Sequence, residues 1–230
     1  MKIRILLAVL LIFMISLDSL FTGCSSPPNG AMPQFTIGDK WISKWTTGGT
    51  EYTVTAAITG EDSVDGNDCW VMEMSYNPAY MNQVTSITSQ LDKTNLDILT
   101  SVYHMNTTEK STTITYKIDG DPYYPLKVGK RAKEIEYRTI TTVTSSGTTA
   151  VTQTENATVT TTTVVDKVEN ITTAAGTFKC FKISKYNENG ALIQISWRSD
   201  TVKLYQVKMS DLTDPDATYE LISYSVSQIK

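Results

Sequence analysis

A single histidine, His104, serves the whole 230-residue chain. It stands before Met105-Asn106, with no G-x-S-x-G elbow and no H-E-x-x-H pair in the sequence, so histidine-dependent hydrolysis and zinc-protease chemistry have no motif to rest on. Carboxylates are no better arranged for a metal. The densest acidic stretch is Glu61-Asp62-Ser63-Val64-Asp65-Gly66-Asn67-Asp68, and placing Gly66 at the glycine of a calcium loop puts Met72 where a bidentate acid belongs. A solvated turn is the expectation there. Lys and Arg are scattered and the net charge is −4, which excludes the clustered cations that release counterions from nucleic acid. Beyond the amino terminus no apolar run reaches the roughly 20 residues of a membrane-spanning helix. The expectation is a protein without catalysis, cofactor or metal.

The amino terminus is the most specific segment. Lys2 and Arg4 precede an apolar stretch from Ile5 to Leu17, and Leu20-Phe21-Thr22-Gly23-Cys24 leads into Ser25-Ser26-Pro27-Pro28. A basic start, a short apolar run and small residues before a cysteine resemble a bacterial lipoprotein signal. Residues 1–23 are expected to be cleaved and Cys24 acylated, leaving a net charge of −5 once Lys2, Arg4 and Asp18 are gone. Stable attachment needs more than one acyl chain, as such lipoproteins carry. Residues 24–34 lack periodicity and are rich in Pro and small residues, which reads as a lipidated tether. The bilayer is thus the first expected partner. The location is the cell envelope, on the outer face of the cytoplasmic membrane or on the outer membrane.

From Phe35 to Lys230 apolar residues recur with period two, and β-branched and aromatic residues dominate between turns. Tyr52-Val54-Ala56-Ile58, Ile114-Tyr116-Ile118 and Ile193-Ile195-Trp197 are such runs, punctuated by turns at Thr47-Gly48-Gly49, Asp65-Gly66-Asn67, Asp92 to Asn95, Ser145-Ser146-Gly147 and Asn187 to Gly190. A helix capped at Asn77-Pro78 with Tyr80, Val84, Ile87 and Leu91 on one face is the competing reading, opposed by the low helix propensity of Thr85 to Ser89. The fold class is therefore all-β, an antiparallel meander forming a barrel or half-barrel of roughly 10 to 12 strands.

The two halves, 35–121 and 122–230, read as copies. Phe35 to Trp41 matches Leu126 to Ala132; Gly66 with Cys69-Trp70-Val71-Met72 matches Gly176 with Cys180-Phe181-Lys182-Ile183. Ile87 to Leu91 followed by Leu96 parallels Ile193 to Trp197 followed by Val202, and Ile114 to Ile118 parallels Ile222 to Val226. The offsets of 91, 111, 106 and 108 positions keep their order, which points to duplication of a unit of about six strands. The shift after the first match is a threonine-rich insertion, Thr139 to Thr163, expected to project as a long hairpin. Asn106, Asn156 and Asn170 each begin an N-x-T acceptor pattern, read here as unmodified.

With Cys24 spoken for, Cys69 and Cys180 occupy one position in the two units. They are a candidate disulfide if the pseudo-twofold axis brings them together, and two buried free thiols otherwise. The run Ala174-Ala175-Gly176-Thr177-Phe178-Lys179-Cys180-Phe181, followed by Trp197-Arg198-Ser199-Asp200-Thr201-Val202-Lys203, resembles uncharacterised envelope lipoproteins of the TapB-like kind. That resemblance, carried mainly by residues 164–209, implies an all-β envelope domain akin to the half-barrel carriers LolA and LolB, and brings no catalytic residues. The functional expectation is a tethered protein holding an apolar ligand or lipid in a cleft lined by Trp41, Trp70, Met72, Met74, Phe181 and Trp197. The alternative is a structural or adhesive surface module engaging an envelope protein or glycan.

Overall fold

The alternating runs become twelve antiparallel strands in a computed structural model that describes residues 28, 30–80, 83–105, 110–146 and 149–227. The expected leader, Cys24, Asn106 and Gly147 lie outside the described residues. The strands are β1 (Lys40–Thr47), β2 (Thr50–Val64), β3 (Asn67–Tyr80), β4 (Val84–Asp92), β5 (Ile98–Met105), β6 (Lys110–Gly120), β7 (Arg131–Ser146), β8 (Thr149–Thr173), β9 (Gly176–Asn187), β10 (Leu192–Arg198), β11 (Gln206–Asp211) and β12 (Thr218–Ser225), with a 3-10 turn at Asp200–Val202. Each pairs with the next, and β12 returns to β1 through pairs such as Trp41↔Tyr224, closing the barrel. Closure removes the free edges an open sheet would expose. The segment from Asn77 to Leu91 is strand, not helix.

Two-residue hairpins form where glycine permits positive φ. Gly48 and Gly49 (φ 54° and 74°) join β1 to β2, and Asp65 and Gly66 (φ 50° and 85°) join β2 to β3. Inward positions carry the bulk: Trp41, Val54, Ala56, Ile58, Met72, Ile183 and Leu221 are buried. Outward positions such as Lys40, Lys44, Glu51, Thr53, Lys133, Thr139 and Thr158 are exposed. Apolar inside and charged outside is the reverse of a barrel built to face lipid.

Six strands precede residue 122 and six follow it, and the halves repeat in detail. Before β1, Gly38 N–H donates to Ile58 O and Ile58 N–H donates to Asp39 O; before β7, Gly129 N–H donates to Val165 O and Val165 N–H donates to Lys130 O. Both glycines have positive φ, 97° and 85°. The β2–β3 ladder shifts register between Ile58 and Gly60, the β8–β9 ladder between Val165 and Lys167. The ladders correct two of the expected offsets. Trp70 pairs with Leu91 as Phe181 pairs with Arg198, so Leu91 corresponds to Arg198, 107 positions on, and not to Trp197. Likewise Thr100 pairs with Thr115 as Lys208 pairs with Glu220, an offset of 105 for the last strand. Slips of one or three residues are invisible in an alternating pattern but exchange the two faces of a strand.

The threonine-rich insertion is the outer part of the β7–β8 hairpin, paired from Arg131↔Val164 to Ser146↔Thr149. It is not a free-standing ribbon, because β6 pairs along β7 as far as Lys110↔Thr144. Its other side is open, since β9 takes up β8 only from Thr161↔Asn187 onward. Nor does the segment expected as a tether hang wholly free: Pro28 and Pro33 are buried, and Leu126 N–H donates to Gly30 O at 2.6 Å.

Candidate functional site

Among the described residues, three apolar clusters fill the barrel. The main one gathers Phe35, Trp41, Ala56, Ile58, Met72, Leu91, Phe178, Cys180, Val202, Val207 and Leu221; a second joins Leu126, Val165, Phe181, Ile183 and Leu204. An aromatic group around Tyr52, Tyr219, Trp45, Tyr76 and Tyr80 forms a third. Between the units a cavity of about 360 Å3 remains, within the roughly 300–1,000 Å3 of small-molecule sites.

The cavity has two unlike walls. Phe35, Met72, Leu91, Leu96, Ile98 and Ile118 come from the first unit, with Asn95 and Asp97 at the β4–β5 turn. The second unit contributes Glu134 from β7, Thr163 from β8, Ile183 and Lys185 from β9, and Gln194, Ser196 and Arg198 from β10, with Lys203 to Gln206 beyond. Tyr123 and Tyr124, in the connection between units, complete the lining. Alternation explains the second wall: Gln194, Ser196 and Arg198 share one face of β10, and Ile193, Ile195 and Trp197 take the other.

Arg198 is the most unusual group. Its Nη1 donates to Leu204 O at 3.3 Å and its guanidinium lies 5.7 Å from the Tyr123 ring centroid. Its Nε is buried and meets no hydrogen-bond partner among the described residues. Burial raises the pKa of Tyr123 to about 12, although the Arg198 charge pulls it down. Burial also raises that of the Glu134 carboxyl, with Lys185 acting in the opposite direction, and that of Asp97, with Asp92 adding to the effect. Desolvation of the charged form is the common cause. Lys203 is already engaged: its Nζ lies 2.6 Å from Asp39 Oδ2.

Of the six side chains expected to line a cleft, Met72 lines this cavity. The other five are placed elsewhere. Trp41 is fully buried, stacked on Tyr205 at 4.5 Å between ring centroids, with Nε1 donating to Val202 O at 3.1 Å. Trp70 is half-buried under Lys93, whose Nζ lies 4.4 Å from the ring centroid. Met74 packs on the main cluster and Phe181 in the second. Trp197 donates through Nε1 to Glu169 Oε1 at 2.8 Å. Large apolar residues go to the core first, and unfilled space is a property of the assembled barrel. No local pattern signals the missed groups, because the counterpart relation of Leu91 and Arg198 emerges only from the strand ladders.

Cys69 and Cys180 are free and buried, so the candidate disulfide is not formed. The reason is topological: β3 and β9 are six strands apart either way round the closed barrel. Each thiol instead donates to a carbonyl two residues back in its own strand, Asn67 O and Phe178 O. His104 is on β5, exposed, with Nε2 3.0 Å from Thr88 Oγ1.

A profile for DUF3108-like proteins matches residues 43–208, from β1 into β11. The chain belongs to the DUF3108-like family. Among solved structures, this DUF3108-like barrel is similar to a candidate lipoprotein from Parabacteroides distasonis, at 14% identity over 87% of this chain and 100% of the other, with a TM-score of 0.36. It is also similar to a candidate exported protein with a YmcC-like fold from Bacteroides fragilis, at 10% identity over 85% and 99% of the two chains, again with a TM-score of 0.36. No curated protein matches the DUF3108-like chain.

Proposed function

We propose that this DUF3108-like protein is a lipid-tethered envelope protein that holds a small ligand between the two units of its barrel and performs no catalysis. The observation that carries the reading is the inter-unit cavity, with a half-buried cation whose Nε is buried on one wall and aliphatic side chains on the other. The leader ending at Cys24 supports the tether, and the carrier role implied by the TapB-like resemblance agrees with it. The expected apolar cleft is revised: the second-unit wall is polar, so the ligand is amphiphilic. The test is native mass spectrometry of the mature chain carrying Cys24→Ser, expressed in cells. A reproducible co-purified mass of small-molecule size is expected; its consistent absence overturns the reading. In parallel, the natural chain is expected in the membrane fraction and the Cys24→Ser chain in the soluble fraction.

A second reading, a surface module that engages an envelope protein or glycan, is favoured by one feature. Strand β8 runs from Thr149 to Thr160 without a β9 partner, and residues 150–158 are exposed. A strand with open backbone groups is a site for an added strand. Deleting residues 141–158 would abolish attachment to an envelope partner under this reading and leave the co-purified mass unchanged.

A further inference from the structure

The two units present the same inner positions with different chemistry. Met74 pairs with Ile87 as Lys185 pairs with Gln194, and Trp70 pairs with Leu91 as Phe181 pairs with Arg198. Met74, Ile87 and Leu91 of the first unit thus correspond to Lys185, Gln194 and Arg198 of the second. Packing alone is satisfied by the apolar set, as the first unit demonstrates. Two half-buried cations in its place need another reason, because taking a charge even partly out of water is costly.

Neither Arg198 nor Lys185 makes an ion pair among the described residues, and Arg198 Nε has no hydrogen-bond partner there. The acids on the lining are Glu134 and Asp97. Neither carboxyl forms an ion pair with these cations among the described residues, although Glu134 feels the charge of both Lys185 and Arg198. Across the cavity lie Met72, Leu91, Ile98 and Ile118. A guanidinium with an open donor, on the same wall as the Lys185 ammonium, recognises a carboxylate or phosphate, and the aliphatic wall recognises a hydrocarbon.

We propose that the cavity binds an anionic amphiphile, its head group held by Arg198 and Lys185 and its apolar body lying against Met72, Leu91 and Ile98. The proposal rests on the ligand-holding reading above and assigns its chemistry. It is tested by calorimetric titration of the mature Cys24→Ser chain, stripped of co-purified material, with dodecanoate, dodecyl phosphate, dodecanol and dodecylamine.

One or both anions are expected to bind at least tenfold more tightly than the alcohol and the amine, and the tighter anion identifies the head group. Arg198→Leu places in the second unit the residue the first unit already carries there. It is expected to keep the native circular dichroism spectrum and lose anion affinity at least tenfold while binding dodecanol as before. Lys185→Met is the second variant, expected to weaken the same anion. Dodecanol binding as tightly as either anion overturns the proposal, as does unchanged anion affinity in both folded variants or no anion binding at all. A co-purified mass that proves neutral or cationic overturns this assignment alone, and no co-purified mass at all removes the ligand-holding reading with it.

Discussion

Asp39 and Lys203, 164 residues apart in the chain, meet at 2.6 Å between carboxylate and ammonium, with side chains 0% and 7% exposed. Asp39 also accepts from Thr36 N–H at 2.7 Å and from Ser227 N–H at 2.8 Å, and Lys203 also donates to Thr36 Oγ1 at 3.2 Å. One carboxylate thereby joins the entry to β1, the exit from β12 and the β10–β11 turn. Removing either partner leaves the other charge buried and uncompensated, at a cost of about 3–5 kcal/mol. We expect Lys203→Met and Asp39→Leu each to lose that much in urea unfolding. The double variant should lose less than the two together, because neither orphaned charge remains.

The Glu134 carboxyl, raised by burial above its ordinary 4.5, gives the barrel a pH dependence of definite sign. The folded state binds this proton more tightly than the unfolded chain, so protonation favours folding. The contribution is complete below the ordinary carboxylate value and is lost as pH climbs through the raised one. Glu134→Gln should therefore stabilise the barrel more at pH 7 than at pH 4. Thermal melts of both proteins at the two pH values check this, and an equal difference at both refutes it.

Both thiols should be silent in the folded protein. Burial raises the pKa of Cys180 to about 12, and burial raises that of Cys69 as well. The thiolate is the reactive form. Iodoacetamide at pH 8 is expected to leave Cys69 and Cys180 unmodified in the native barrel and to label both in denaturant without reductant. Labelling that requires reduction would mean that a bridge exists.

Gly38 and Gly129 test whether the two units obey the same backbone rules. A Cβ at either would meet no heavy atom within 4 Å, so crowding is not the obstacle. The obstacle is their positive φ, 97° and 85°, where an L-residue costs about 1–2 kcal/mol. Gly38→Ala and Gly129→Ala should each destabilise by that amount, and similarly, as measured by chemical denaturation.

The all-β class, the strand number and most turns were legible because each depends on short-range chemistry. Period-two alternation, Gly48-Gly49 and Asp65-Gly66 act within a few residues of chain. The likeness of the two halves was legible where a backbone requirement marks it, as at Gly38 and Gly129. It blurred in β4 and β10, where alternation reads equally well after a one-residue slip. That slip hid the correspondence between Leu91 and Arg198, and with it the polar wall of the cavity.

The amino-acid sequence by itself determined the β propensity and the turns that separate the strands, since both are encoded in contiguous residues. Only the tertiary structure decided that the sheet closes through β1 and β12, that Cys69 and Cys180 stand on opposite sides, and that five of six large apolar candidates pack away from the inter-unit space. Closure sets which strands oppose each other across the barrel. A cavity is whatever volume the side chains of both units together fail to fill, and no local pattern encodes a volume shared by residues as distant as Leu91 and Arg198.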